Sequence, residues 1–344
     1  MAIYEIRIKP ESSFGTPFRG DTIFGQVCQI ISGLKSSSID LSELLKDYDK
    51  DPFIVTSSAV PFFKFKDNFY YIFKAPNLPN YFFTIDKNID KKTLIKKRKD
   101  FKKKIYMPLC YKKLNISLEE IPCYSKEDLI KHFQFPFESN FVANFIQTHN
   151  TINRFTSTTG KDGFAPFTET IYMFNDNIKL SIFIYLGKNI DISFIKDIFE
   201  KMGFIGFGKN SSTGSGRFIL EEVIQVELSN FGNDNPNCCY TLSPFVPNKD
   251  SENFEQLFFT PFIRYGKHGG TLSLSQNPFK NPIIMCDDGA IIKPKNKDII
   301  FSKPFVGVGL ENLSKVEKNT RAQGYSLYIP FNIKENLFNE TNTN

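Results

Sequence analysis

Apolar and polar residues alternate at the start of the chain. Tyr4, Ile6 and Ile8 share one face of Ala2–Lys9, and Glu5, Arg7 and Lys9 share the other, which is the period of a strand. After the turn PESSFGTPFRG, the stretch DTIFGQVCQIISG shifts to a helical period. Ile23, Phe24, Val27, Ile30 and Ile31 form its stripe, with Asp21 as the expected N-cap and Gly33 as the stop. A second strand is expected at Ile54–Val60. IKLSIFIYL alternates again, with Ile178, Leu180, Ile182, Ile184 and Leu186 on one side. DISFIKDIFEKM then carries a helical stripe of Ile192, Ile195, Phe199 and Met202, with Gly203 as the expected end. A glycine-rich stretch follows, and RFILEEVIQVEL returns as a strand. Taken in order, these elements make the βαββαβ ferredoxin-like plan, with an insertion at about residues 65–166 before the third strand.

The polar hinge NFGNDNPN marks a boundary near residue 230, dividing the chain into 1–230 and 231–344. Beyond it lie short strand candidates: CCYTLSPF, PIIMC, AIIKP and GYSLYIPF. Helix signals are weak there, so patterning supports a second α+β or mostly β domain. The overall fold class is α+β. The tail NETNTN is polar and is expected to fray.

Composition narrows the picture without deciding it. A chain of 344 residues, 41% hydrophobic and 23% charged, has room for two ordinary cores. MAIYEIRIKP alternates and carries charge where a secretory signal needs an apolar run, and no apolar stretch approaches the ~20 residues of a membrane span. A cytoplasmic protein with no membrane partner is the expectation. The six cysteines include no CxxC pair, and His132, His149 and His268 are scattered, so neither metal nor cofactor is expected. The formal charge is +6, unevenly spread: Lys91–Lys113 holds eleven Lys or Arg against one Asp. Such a run reads equally as a solvated face and as a phosphate-contacting arm.

Two stretches carry candidate chemistry. GFIGFGKNSSTGSGRF, residues 203–218, contains G-x-x-x-x-G-K, but Asn210 stands where a nucleotide-hydrolysing P-loop needs Ser or Thr. The context is also reversed, because a P-loop leads from strand into helix and these glycines lead from helix into strand. A polynucleotide cradle fits better. Glycine lets the main chain adopt φ > 0 and bring N–H groups to a phosphate. Ser211, Ser212, Thr213 and Ser215 add hydroxyls, while Lys209 and Arg217 add charge. Such contacts position a backbone without reading bases. A surface turn is the plain alternative. The second stretch, THNTINRFTSTTGKDGFAP, is dense in hydrogen-bonding groups, and His149, Asn150 and Arg154 can face one ligand. A capped turn with a satisfied histidine is the alternative there.

The motifs also carry a resemblance. FGTPFRGDTIFGQVC resembles the N-terminal signature of the repeat-associated mysterious proteins, the RAMP superfamily of RNA-binding CRISPR subunits. HNTINRFTSTTG, GFIGFGKNSSTGSGRF and PFIRYGKHGGTLSLSQNPFKNPIIMCDDGAIIKP follow in the order found in the fourth-subunit family of type III-A Csm complexes, from Ile3 to Ile329. The resemblance implies two ferredoxin-like (RRM-like) domains, the first with the glycine-rich loop before its last strand. It implies a non-catalytic subunit at the foot of the complex that grips the 5′ handle of the crRNA. Its neighbours would be the large polymerase-palm subunit and a backbone RAMP subunit, and the process antiviral defence. Carried over by position, the RNA-binding residues are Gly206, Gly208, Lys209, Ser211, Ser212, Thr213, Gly214, Gly216 and Arg217 in the loop. His149, Asn150 and Arg154 join them, with Arg19 as a further cation facing the same groove. The insertion would carry a thumb-like element. Ser215 departs from the family, where a cation is common, and the basic run is poorly matched.

A single-stranded handle is held by phosphate contacts, by hydroxyls meeting 2′-OH groups and by stacking. Phe14, Phe18 and Phe155 lie within the motifs as stacking or core residues. Two rival functions are a metal-independent endoribonuclease that uses His149 as general acid or base, and an interaction protein whose loop touches only a neighbouring subunit.

Overall fold

The computed structural model describes residues 2–34, 39–79, 91–114, 116–134, 142–160, 163–187, 190–248 and 254–339. The elements begin with β1 (Ala2–Pro10), α1 (Gly20–Gly33), α2 (Leu41–Lys46), β2 (Ile54–Thr56), β3 (Val60–Phe65) and β4 (Asn68–Lys74). Then come α3 (Lys91–Lys103), β5 (Tyr106–Cys110), α4 (Lys126–His132), β6 (Val142–His149), β7 (Phe167–Phe174), β8 (Lys179–Leu186), α5 (Ile192–Ile205) and β9 (Phe218–Val226). The rest of the chain holds β10 (Cys238–Thr241), β11 (Phe254–Phe258), β12 (Pro261–Arg264), β13 (Ile283–Cys286) and β14 (Ile291–Pro294). It ends with α6 (Lys297–Ile300), β15 (Phe305–Leu310), β16 (Ala322–Phe331) and α7 (Glu335–Asn339).

β1 is a central strand with both edges paired. It runs antiparallel to β8 from Ala2↔Leu186 to Ile8↔Leu180, and to β9 from Ile3↔Val226 to Pro10↔Phe218. The resulting seven-stranded sheet has the order β5-β4-β3-β8-β1-β9, with β2 also pairing β8. Helices α1 and α5 follow β1 and β8, as the βαββαβ plan anticipates. A second sheet has the order β11-β14-β10-β16-β15. Its associated helices α6 and α7 span only four and five residues. The fold is a mixed α+β one.

Several local expectations change for identifiable reasons. The strand foreseen at Ile54–Val60 is two strands, because the amides of Ser58 and Ala59 leave the sheet for the carbonyls of Leu242 and Phe18. The span foreseen as an insertion starts inside the sheet, where β4 pairs β3 and β5 pairs β4. The β6–β7 hairpin forms its own two-stranded sheet, as β12–β13 does later in the chain. Asp21 does not cap α1. The cap position is Arg19, and the Asp21 carboxylate accepts hydrogen bonds from Arg264 on β12 instead. Gly203 does not end α5 either. It is buried within the helix, where a Cβ would lie 2.2 Å from the Phe218 carbonyl, so glycine there serves the close approach of α5 to β9.

Both faces of the first sheet are covered. Leu180 through Leu186 on β8 are all buried, although their sequence alternates. Ile6, Ile8, Val27, Phe199 and Met202 belong to the same apolar cluster as Tyr240, Leu327 and Ile329 from the second half. On the opposite face Tyr71, Phe183 and Phe231 pack edge to face or tilted, with centroids 4.9–6.2 Å apart. Glu5 is buried there, and its carboxylate accepts hydrogen bonds from Arg7, Tyr71 and Ser181 at 2.9–3.1 Å. Gln323 on β16 stitches the halves together. Its amide donates to the Thr56 carbonyl at 2.7 Å, and its oxygen accepts from the Thr56 N–H at 2.9 Å. Among the described residues, no helix is long and apolar enough to cross a membrane.

Candidate nucleic-acid interface

The glycine-rich stretch is a turn held from three sides. α5 ends where Gly206 takes φ 99°, and its N–H bonds back to the Met202 carbonyl. Phe207 is fully buried and stacks on Phe18, with centroids 4.0 Å apart and planes 9° apart. Its N–H reaches the Gly216 carbonyl at 2.8 Å, closing the loop. Gly216 has φ 80°, and a Cβ would stand 2.2 Å from the Phe207 carbonyl oxygen, so any side chain there would break this closure. Gln26 on α1 accepts from the Gly208 N–H and donates to the Gly206 carbonyl. Thr16 and Ser12 accept from the N–H groups of Lys209 and Arg217.

That closure spends most of the loop's donors. The N–H groups of Gly206, Phe207, Gly208, Lys209, Thr213, Gly214, Ser215, Gly216 and Arg217 all bond within the protein. The amides of Asn210, Ser211 and Ser212 alone in this span have no partner among the described residues. The sequence suggested a cradle along the whole loop. The structure narrows the open main chain to these three positions, at the turn where Asn210 itself is left-handed with φ 64°.

The second motif meets the loop through a residue the sequence reading did not single out. His149 closes β6, and β7 returns beside it in the register His149↔Phe167 and Gln147↔Glu169. The hairpin is pinned to the body by paired main-chain bonds of 2.8 Å between Phe14 and Tyr172. From β7, Glu169 receives Lys209 Nζ at 2.5 Å and Asn210 Nδ2 at 2.5 Å, with His149 Nε2 3.7 Å away. Hydrogen bonds from Lys209 and then Asn210 hold the Glu169 carboxyl below the ordinary glutamate range. His149 stacks on Phe167 with centroids 5.3 Å apart, and its Nε2 is buried without a hydrogen-bond partner. The only sequence signal for Glu169 was a lone carboxylate in the otherwise uncharged strand FTETIYMF.

The remaining candidates divide. Ser212, Thr213 and Arg217 are exposed, and Ser211 and Gly214 are half-buried beside them. Asn150 and Arg154 are exposed on the hairpin turn, with no side-chain bond among the described residues. Phe155 at the tip is fully exposed at 101% relative area, whereas Phe14 and Phe18 are buried core residues. Arg19 does not join this group. Its guanidinium bonds Asp287 at 2.5 Å and lies over the Phe262 ring at 4.3 Å, tying α1 to the second half.

The chain resembles structures from type III-A CRISPR assemblies along nearly its whole length. One is a chain of the Csm3-Csm4 subcomplex of the type III-A CRISPR-Cas interference complex. It is 17% identical with a TM-score of 0.57, over 96% of this chain and 100% of that one. Another is a chain of the Csm1-Csm4 cassette in complex with pppApA, 14% identical with a TM-score of 0.56, over 97% and 100%. A third, from the same cassette in complex with cA4, gives 14% and 0.55 over 97% and 98%. At these identities the likeness is one of fold. No curated protein matches the sequence. The sequence model of the RAMP superfamily matches residues 5–219, from β1 into β9 and across both the loop and the hairpin. The chain therefore belongs to the RAMP superfamily.

Proposed function

We propose that the chain is the non-catalytic, RNA-binding subunit of a type III-A CRISPR Csm interference complex, gripping the 5′ handle of the crRNA. The observation that carries this reading is the meeting of two polar motifs, distant in sequence, at one exposed edge. There Lys209, Asn210 and His149 converge on Glu169 next to the open amides of Asn210–Ser212, with exposed Arg217 in the same loop and exposed Arg154 and Phe155 on the turn that follows β6. Cations and amides suit phosphates, hydroxyls suit 2′-OH groups, and an exposed ring suits a base. No base-edge reader is needed, because guide pairing supplies target specificity.

The same reading gives the chain two protein neighbours, a large polymerase-palm subunit and a backbone RAMP subunit. Exposed apolar residues support an assembly role. Ile263 and Ile284 are cross-strand partners on the β12–β13 hairpin and are 48% and 70% exposed. The division at about residue 230 into an RNA-binding part and a second ferredoxin-like part, and a cytoplasmic setting, belong to this proposal.

Handle-RNA affinity of Lys209→Ala and Arg217→Ala tests it. Weaker retention is expected, with a salt slope shallower by about 0.7–1 for each phosphate interaction removed. Unchanged affinity and slope would favour a loop that touches only protein.

A further inference from the structure

The lysine-rich segment has a place in the fold that the handle site does not use. α3 leads directly into β5, the far edge of the seven-stranded sheet, whereas the glycine-rich loop leads into β9 at the other edge. Five strand spacings separate those edges, about 24 Å. The two regions are therefore distinct surfaces.

Between the end of α3 and the β11–β12 connection lies an open cleft of about 530 Å³. Lys102, Lys104 and Ile105 line it together with Asn77, Phe259 and Thr260. Phe259 and Ile105 are 44% and 49% exposed, which puts an accessible ring and an apolar side chain beside the two lysines. The charge here is also largely unpaired. Lys209 in the loop is paired with Glu169, but Lys96, Lys99, Lys102, Lys103 and Lys104 form no ion pair with any described residue. Some of this charge complements the C-terminal dipole of α3. A cluster of lysines remains that repel one another until a polyanion neutralises them.

We infer that this cleft is a second single-stranded RNA site, with phosphates against Lys102 and Lys104 and a base against the Phe259 ring. A cationic rim beside an exposed aromatic ring is the combination that tracks a flexible polynucleotide without reading its sequence. An acidic protein segment would use the lysines but has little use for the ring, and this distinction shapes the test.

The experiment measures binding of a fluorescent single-stranded RNA to the full chain across a salt series. It compares Lys102→Glu/Lys104→Glu, Phe259→Ala and Lys209→Ala/Arg217→Ala. Lys102, Lys104 and Phe259 are all exposed, and a glutamate at 102 opposes only the α3 dipole, so thermal melting of the cleft variants should fall no more than slightly below wild type. The charge-reversed pair should bind more weakly, with a slope shallower by about 1.4, or 0.7 for each phosphate interaction removed. Phe259→Ala should lose about fivefold or more with its slope retained. Both losses should persist in the Lys209→Ala/Arg217→Ala background, since the surfaces are separate. Wild-type affinity in both cleft variants would overturn the inference. So would a charge-only effect, with Phe259→Ala silent and a polyglutamate peptide competing as well as RNA. Failure of the loop variants alone would instead count against the handle site and leave the cleft standing.

Discussion

Lys209 Nζ lies 2.5 Å from Glu169 Oε1, so the cation foreseen for phosphate is already held by a carboxylate on the neighbouring hairpin. Asn210 and His149 converge on the same group. Glu169 thus occupies the position of an anion among the residues that would receive one. The pair is 57% exposed at Lys209 and 10% at Glu169, so solvent screens it at its lysine end, where a phosphate can compete for the cation.

Glu169→Gln should therefore tighten single-stranded RNA binding. An exposed pair worth about 0.2–1 kcal/mol corresponds to a gain of roughly 1.4- to 5-fold. The gain should shrink in the Lys209→Ala background, where only the release of Asn210 and His149 remains. Fluorescence anisotropy on the four proteins of this cycle checks it. A gain undiminished without Lys209 would contradict the arrangement.

Gly216→Ala should destabilise the protein by about 2–4 kcal/mol, because its φ of 80° disfavours a side chain and the added Cβ meets the Phe207 carbonyl at 2.2 Å. Denaturant unfolding measures the loss. Gly214→Ala is a useful contrast. Its φ is 94° but no atom lies within 4 Å of a built Cβ, so only the backbone strain remains and the loss should be smaller.

Asp288 provides a pH test of the seam between the two halves. Burial pushes its carboxyl up to about 6, and its Oδ1 has no hydrogen-bond partner. The folded chain then holds this proton more tightly than the unfolded chain, so the group's contribution to stability falls as pH rises from about 4 through 6. Asp288→Asn should raise stability at pH 7 by something on the order of 2 kcal/mol and little at pH 4. Thermal melting at the two pH values reads the difference.

The non-catalytic reading predicts that purified protein leaves repeat RNA intact. His149 does have a carboxylate nearby in Glu169, so the control matters. Gel electrophoresis after incubation, with His149→Ala in parallel, is sufficient. Cleavage abolished by His149→Ala would refute the reading.

What was legible in the sequence follows from how locally each feature is determined. β1, α1, β8, α5 and β9 each carry a periodic apolar stripe within one segment, and each lies where periodicity put it. The pairing of β4 and β5 onto β3 was hidden, since FYYIF and YMPLC are too short to separate from insertion sequence. Gly203 is the first glycine after the α5 stripe and reads as its stop, and only the approach of Phe218 shows why it lies inside a helix that Gly206 ends. For the candidate site, both motifs were legible as polar, glycine-bearing turns. Their joining was not, because Glu169 acquires its meaning from the β6–β7 register and from three partners far away in sequence. The pairing of Arg19 was hidden for the same reason, as its partner Asp287 belongs to the other half of the chain.

Cross-linking the reconstituted complex through photoreactive nucleotides in the crRNA handle, followed by mass spectrometry of the attached peptides, tests the central claim most directly. The account predicts adducts in residues 206–217 and 149–155 of this chain. Handle adducts confined to other surfaces, with both turns unlabelled, would contradict it.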